Sequence, residues 1–496
     1  MAIALIVVLC LLIGISIWGG DRTAPRVREF TWQDKQIGAE DTAFILTFSR
    51  PMEQSSVVAN LKIQPLLPGK ISWAGRTMAY TLLKPAPYGS KYNVNLEKAY
   101  EKFAGSRGQQ KGNALAPFSG TFRVRDRAFV YIGVEGEEKG RLILYNLTQQ
   151  RNGSQQPKTI LTPPNFVVAD FKPYPQGDRI LFSAAEWTDN KPGVFKQQLY
   201  TVTTGLNPQS PGAESQVTPT SPGKIDLLLD SKDYQNMRFD LSADGQTIVV
   251  QRLNRQNLSQ FGLWVLRPNT KTPPTPLGDQ PGGDFLIQSD GQSVAIAQEQ
   301  GVAILPLVPG EKPLDFLPGF GLVLNFARDG SAAMVKFNAD STRSLFVDNN
   351  QGVRQEVFRT QGSILDAKFD PTVSTLYCLL TELQVLKGED GDDEYQEQPY
   401  LAAIDLKTRK LKPLLLLPQQ RDIHMSVSPD GLALMFDQPI ASTVPTQDNT
   451  LTTSDGQAIG TSRLWFLALT PSKLESDAPL EPEELPLPGF RPRWLP

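Results

Sequence analysis

The chain has 496 residues, 40% apolar and 20% charged, with 40 prolines, 39 glycines, two cysteines and one histidine. That length exceeds what one hydrophobic core usually organises, so more than one domain is expected. A formal net charge of −3 without any Lys/Arg run excludes the clustered basic surface that nucleic-acid phosphates require.

Met1 to Trp18 carry no charged side chain, close to the length at which an apolar helix crosses a hydrocarbon core. The start lacks Lys and Arg, and Gly19-Gly20 is a weak cleavage site, so residues 1–20 read as an uncleaved anchor rather than a removed signal. Arg22, Arg26 and Arg28 after the span pull that flank toward the cytoplasm. Asp21, Glu29 and the β-rich chain downstream pull the other way. The expected placement is a single pass in a bacterial inner membrane, with the bulk of the chain extracytoplasmic. Cys10 lies inside the apolar run without the small residues of a lipoprotein box, and Cys378 lies in the apolar run Leu376 to Leu380. With one cysteine outside the anchor, the remaining chain forms no internal disulfide.

Residues 25–125 alternate apolar and polar side chains in short runs: Ala43 to Phe48, Lys62-Ile63, Ile71 to Trp73, Met78 to Tyr80, Tyr92 to Leu96 and Gly120 to Val124. Such runs, broken by Pro and Gly, predict a β-sandwich of about seven strands. The run Phe48-Ser49-Arg50-Pro51-Met52, with Pro65, Gly69, Trp73, Pro87-Tyr88-Gly89, Tyr92 and Thr121-Phe122, resembles the bacterial Ig-like domain of S-layer-type surface proteins. The resemblance implies a spacer or adhesion module without chemistry of its own. Glu97 to Leu115, rich in Lys, Gly and Gln, departs from that pattern and reads as a long loop.

From residue 126 to 496 a different unit recurs. Asp-Gly, placed between two short apolar runs, appears as Ser242-Ala243-Asp244-Gly245, Ser289-Asp290-Gly291, Arg328-Asp329-Gly330 and Ser428-Pro429-Asp430-Gly431. Degenerate copies stand at Gln176-Gly177-Asp178 and Phe369-Asp370-Pro371. Units recurring every roughly 40 to 60 residues, each with a tight turn between strands, predict propeller blades. The unit at Gly245 shows four strands: Met237 to Leu241, Thr247 to Gln251, Gly262 to Leu266 and Thr275 to Leu277. This wording resembles TolB-like propeller repeats, and Ser428-Pro429-Asp430-Gly431 matches their Ser-Pro-Asp-Gly turn outright. By fold analogy the resemblance implies protein partners in the periplasm.

Arg127 to Val134 and Arg141 to Asn146 supply a second and a third strand, with no inner strand before them. Gly489 to Pro496 reads as the missing inner strand, so the tail is expected to join the first blade. Six turns plus this split blade make about seven blades, and joining the ends removes exposed strand edges. The fold class expected is therefore all-β: an N-terminal transmembrane helix, an Ig-like β-sandwich and a propeller closed by the C-terminal strand. Gly205 to Gly223, Gly388 to Glu394 and Gln438 to Thr461 read as loops, which gather on propeller faces where binding usually lives.

Chemistry is sparse. His424, the single histidine, lies in the alternating run Asp422 to Val427 and reads as a structural strand residue. There is no Gly-x-Ser-x-Gly elbow, Cys-x-x-Cys, His-Glu-x-x-His or Walker loop. Asp390, Asp392, Asp393 and Glu394 offer oxygens of the kind calcium prefers, but lack the twelve-residue loop with its terminal Glu, and read as a solvated hairpin tip. The Asn-x-Ser/Thr triplets at Asn146, Asn152 and Asn257 matter only in a eukaryotic secretory pathway. Trp18, Trp32, Trp73, Trp187, Trp264, Trp465 and Trp494 could form a glycan platform, but Trp264 and Trp465 sit at equivalent third-strand positions, which points to repeat packing.

The function expected from these features is a membrane-anchored binding scaffold whose propeller face holds an envelope protein or polysaccharide. No catalytic, cofactor or metal residue is assigned, and no nucleic acid is expected as partner. The alternative is a hydrolase or lyase acting on a peptide or glycan in the central channel, with Asp240, Asp284, Asp366 or Asp422 as acid and base.

Overall fold

The computed structural model describes residues 23–103, 112–153, 156–186, 196–206, 221–270, 272–278, 283–349, 351–387, 393–420, 422–442, 451–453, 456–470, 473–474 and 480–496. These residues build an all-β protein whose α-helices, Gln54–Asn60 and Leu147–Arg151, are short. Among the described residues no helix is long and apolar enough to cross a membrane. The longer one has seven residues, whereas a span takes about 20. The single-pass inner-membrane placement is corrected on that finding; residues 1–20, read as the anchor, lie outside the described residues.

The chain divides into two units, in the main residues 1–126 and 127–496. In the first, two four-stranded sheets enclose one core. One sheet runs Val27–Phe30, Ala43–Phe48, Thr77–Leu82, Gly69–Ala74; the other runs Lys35–Ile37, Phe118–Val124, Lys91–Leu96, Leu61–Gln64. Alternation along Ala43–Phe48 buries Phe44, Leu46 and Phe48 and leaves Ala43 and Ile45 exposed, as a strand with one wet face requires. Tyr92 stacks on Phe122 with ring centres 5.0 Å apart, and Trp32 meets Phe122 edge-on at 5.0 Å. The Phe-Ser-Arg-Pro-Met run sends Phe48 and Met52 into this core, while Arg50 pairs with Glu101 at 3.0 Å.

The second unit is a β-propeller pattern of antiparallel meanders. Five four-stranded sheets follow one another in chain order, and one seven-stranded sheet carries both ends of the unit. In that sheet the C-terminal strand Glu483–Trp494 pairs with Ile459–Ala468 through its first half and with Ala128–Gly133 through its second. The tail thus supplies the inner strand that the opening residues lack. Apolar cores lie between successive sheets: Val130 and Leu144 pack with Phe171 and Phe182, and the series continues to Tyr377 and Leu401 packing with Leu434 and Phe436. A last core joins Met435 and Leu464 to Phe129, Tyr131 and Trp494, from the two ends of the unit.

The repeated turn has a local cause. Ser242 accepts at its carbonyl from Gly245 N–H at 2.8 Å, its hydroxyl accepts from Thr247 N–H at 2.9 Å, and Asp244 accepts from Gln246 N–H at 2.9 Å. Ser428, Asp430 and Ala433 repeat the pattern. Gly245 and Gly431 both have φ of 70°, and Val373 takes the equivalent place with φ of 55°, a region that favours glycine.

Two hairpins run beyond their sheets. Thr375–Lys387 pairs with Asp393–Asp405 along its whole length. Gln438 to Thr461, read as a loop, is in part a hairpin: Gln438 pairs with Arg463 and Ala441 with Ile459. Among its described residues Pro439, Leu451 and Ile459 are buried, the last two in the core with Val130 and Phe166, while Ile440, Ala441 and Gly460 are exposed.

Candidate functional site

The inner strands of the second unit are positioned by their turns. Counting back seven and five residues from the left-handed turn residues Gly177, Gly245, Gly291, Val373 and Gly431 gives Asp170 and Lys172, Arg238 and Asp240, Asp284 and Leu286, Asp366 and Lys368, and His424 and Ser426. A period of two puts both members of each couple on one strand face. Together with Asn325, Arg491 and Arg493, most of them line a central cavity of ≈ 490 Å³.

Irregular pairing aims these side chains. Register shifts fall at Val168/Asp170, Asn236/Phe239, Val323/Asn325 and Ile364/Asp366, and bulges of this kind redirect a side chain from the ladder. Asp170, Asp240 and Asp366 each accept the N–H of the following residue at 2.8 Å.

Cations meet these carboxylates, across neighbouring strands in all but the Lys368–Asp366 pair, which lies within one strand. Lys172 pairs with Asp240, whose other oxygen accepts Ile287 N–H at 2.7 Å. Arg238 pairs with Asp284, and Lys368 with Asp366 at 2.9 Å. Arg493 reaches Asp170 at 3.0 Å and Arg491 reaches it at 3.6 Å. Burial would raise the Asp170 carboxyl, but Arg493, Arg491 and Lys172 outweigh it and hold it below the usual carboxylate range.

The C-terminal strand bulges where it enters this cavity. Its register shifts between Phe490 and Arg493, and Arg491 sits at φ 53°. Asp437, fully buried, fixes that conformation by accepting Arg491 N–H at 2.7 Å and His424 N–H at 2.6 Å. His424 lines the cavity and packs edge-on against Phe490 at 5.1 Å, with Nδ1 3.3 Å from Asp437 and Nε2 3.8 Å from Asp422.

Of the carboxylates expected in a channel, Asp240 and Asp366 are on its inner strands in ion pairs, Asp284 is tied to Arg238, and Asp422 lies just before the strand at φ 64°. Asp170, Lys172, Arg238, Lys368, Arg491 and Arg493 went unread in the sequence. The signal was available for the first four as a fixed offset from each turn. The acidic residues Asp390 and Asp392 lie outside the described residues, as do Trp18 and Trp187. Among the described residues no group of three or more His, Cys, Asp or Glu side chains could hold a metal ion. Trp32 and Trp494 are buried, and Trp465 stacks on Phe436 at 6.4 Å, so these rings serve packing. Asn146 is buried and caps the helix Leu147–Arg151 through Gln149 N–H.

No family model and no curated protein matches the sequence. Solved structures similar to the chain include oligogalacturonate lyase from Vibrio parahaemolyticus, at 11% identity over 63% of this chain and 87% of that one, with a TM-score of 0.41. TolB from Acinetobacter baumannii is similar at 10% identity over 88% of this chain and 83% of that one, with a TM-score of 0.38. Prolyl oligopeptidase B from Galerina marginata is similar at 8% identity over 73% of this chain and 52% of that one, with a TM-score of 0.42. Likenesses this loose assign no activity.

Proposed function

We propose that residues 126–496 form a TolB-like propeller of seven blades closed by the C-terminal strand, that residues 25–125 form an Ig-like sandwich, and that the protein is a binding scaffold. Its propeller face offers loops and the two long hairpins to a protein or polysaccharide. What carries this reading over catalysis is the state of the channel carboxylates. Asp170, Asp240 and Asp366 each accept a backbone N–H and a cation. A general acid has to hold a proton near neutral pH, whereas the cations beside Asp170 hold it in the ionised form, and both oxygens of Asp240 are taken up by Lys172 and two backbone N–H groups.

A hydrolase or lyase is the second reading, favoured by one observation: His424 lines the cavity with Nδ1 3.3 Å from Asp437. The two are not aligned as a hydrogen bond, but a rotation of the ring would form the contact that orients an imidazole as a base. The two separate in one experiment. The full chain is incubated with soluble polysaccharides and unfolded proteins, and both retention and newly formed chain ends are measured. Retention without cleavage is expected. Cleavage that scales with protein and disappears in His424→Asn would replace the scaffold with an enzyme, and absence of retention would remove the scaffold.

A further inference from the structure

The cavity wall is unbalanced in charge. Lys172, Arg238, Lys368, Arg491 and Arg493 line it, against the carboxylates of Asp170 and Asp366. Asp240 and Asp284 each hold one of these cations, and Asp437 spends its oxygens on two backbone N–H groups beside His424. Five cations thus face two carboxylates in the lining itself, Asp170 and Asp366, while Asp240, Asp284 and the buried Asp437, which would even the count, are not part of that lining. Low-dielectric walls focus such an excess into the cavity.

Donor capacity exceeds what these pairs use. Arg238 keeps 60% of its side-chain surface open while paired with Asp284. The Nε of Arg491 is buried without a hydrogen-bond partner. Planar guanidinium forks match the oxygens of carboxylate and phosphate groups, and three of them converge here with two ammonium groups. The left-handed backbone of Arg491 is held by a buried carboxylate; strain over-determined by its surroundings is a mark of functional sites. A volume of ≈ 490 Å³ lies within the range of small-molecule sites, about 300 to 1,000 Å³.

We propose that this cavity binds a small, multiply charged oxyanion, a molecule with two or more carboxylate or phosphate groups, held by Lys172, Arg238, Lys368, Arg491 and Arg493. The site is separate from the loops that would hold a macromolecule, so either can fail while the other stands.

The test is titration calorimetry on the full chain at low ionic strength and neutral pH, with citrate, sodium pyrophosphate and uncharged glycerol as probes. Citrate or pyrophosphate is expected to bind with Kd below about 1 mM, glycerol not at all, and affinity is expected to fall as salt screens the cations. A preference for citrate names carboxylate as the natural chemistry, and a preference for pyrophosphate names phosphate. Arg238→Ala and Lys368→Ala, on separate sheets and away from the strained strand, are each expected to weaken binding about tenfold, the scale of one charge-assisted contact, with the thermal midpoint nearly unchanged. Absence of binding by both anions to the wild-type chain overturns the proposal, as does binding that neither substitution weakens.

Discussion

The buried carboxylate of Asp437 bonds the backbone N–H of Arg491 across 54 residues of sequence, at 2.7 Å. Its other oxygen holds His424 N–H at 2.6 Å, so two backbone donors depend on one side chain. Asp437→Ala is expected to leave both donors without that acceptor, at about 1–3 kcal/mol each. Denaturant unfolding should show a loss of about 3 kcal/mol, with faster amide exchange across residues 489–495. An unchanged midpoint would mean that the carboxylate is not the clasp of the C-terminal strand.

The turn glycines differ in what surrounds them. At Gly291 an added Cβ meets nothing closer than Ser242 Cβ at 3.5 Å, whereas at Gly431 it meets Pro371 Cδ at 2.9 Å. Both have left-handed backbone, φ 67° and 70°, so alanine costs about 1–2 kcal/mol at either from conformation alone. Gly431→Ala is expected to cost more than Gly291→Ala, because the rigid proline ring has to move. Equal thermal shifts would show that the neighbouring turn yields freely.

The pH dependence follows from Asp170. Its folded pKa lies below the ordinary carboxylate value, with burial opposing and Arg493, Arg491 and Lys172 prevailing. The stability it contributes is therefore present above the unfolded value of about 3.9 and is lost as pH falls through the lower folded value. Asp170→Asn should destabilise by about 1–2 kcal/mol at neutral pH, and the gap from wild type should narrow below about pH 4. A gap that persists unchanged into strong acid would assign the effect to packing.

Cys378 is fully buried in its strand, and burial raises its thiol above the usual range. A thiol reagent attacks the thiolate, so the peptide containing Cys378 should stay unlabelled by iodoacetamide in the native protein and label fully in denaturant. Mass spectrometry of that peptide separates it from Cys10. Native labelling would reveal frequent opening of the sheet that holds Leu376 and Leu380.

The parts of the fold legible in the sequence are those whose causes are local. The Ser-x-Asp-Gly turn encloses its own hydrogen bonds within six residues, Ser428 to Ala433, and the strand after Gly245 opens on the short apolar run Ile248 to Val250, buried throughout. The tail was legible because Phe490 and Trp494 alternate with polar residues, and both are buried. The channel was hidden by distance along the chain: Asp170 meets Arg493 across 323 residues. A charge on an inner strand looks, in sequence, like a charge on any wet strand face. The left-handed Arg491 gave no sign either, since nothing adjacent to it encodes the carboxylate that holds it.

The strand Glu483–Trp494 completes a sheet begun by Ala128–Gly133, and this sets a timetable for synthesis. The edge of Ala128–Gly133 waits without its partner while roughly 350 further residues leave the ribosome, at about 5–20 residues per second. For those tens of seconds the nascent chain presents an open strand that carries Phe129 and Tyr131, the kind of surface that recruits chaperones or wrong partners. Loss of only the last few residues would thus harm the folding of the beginning of this unit more than that of its middle.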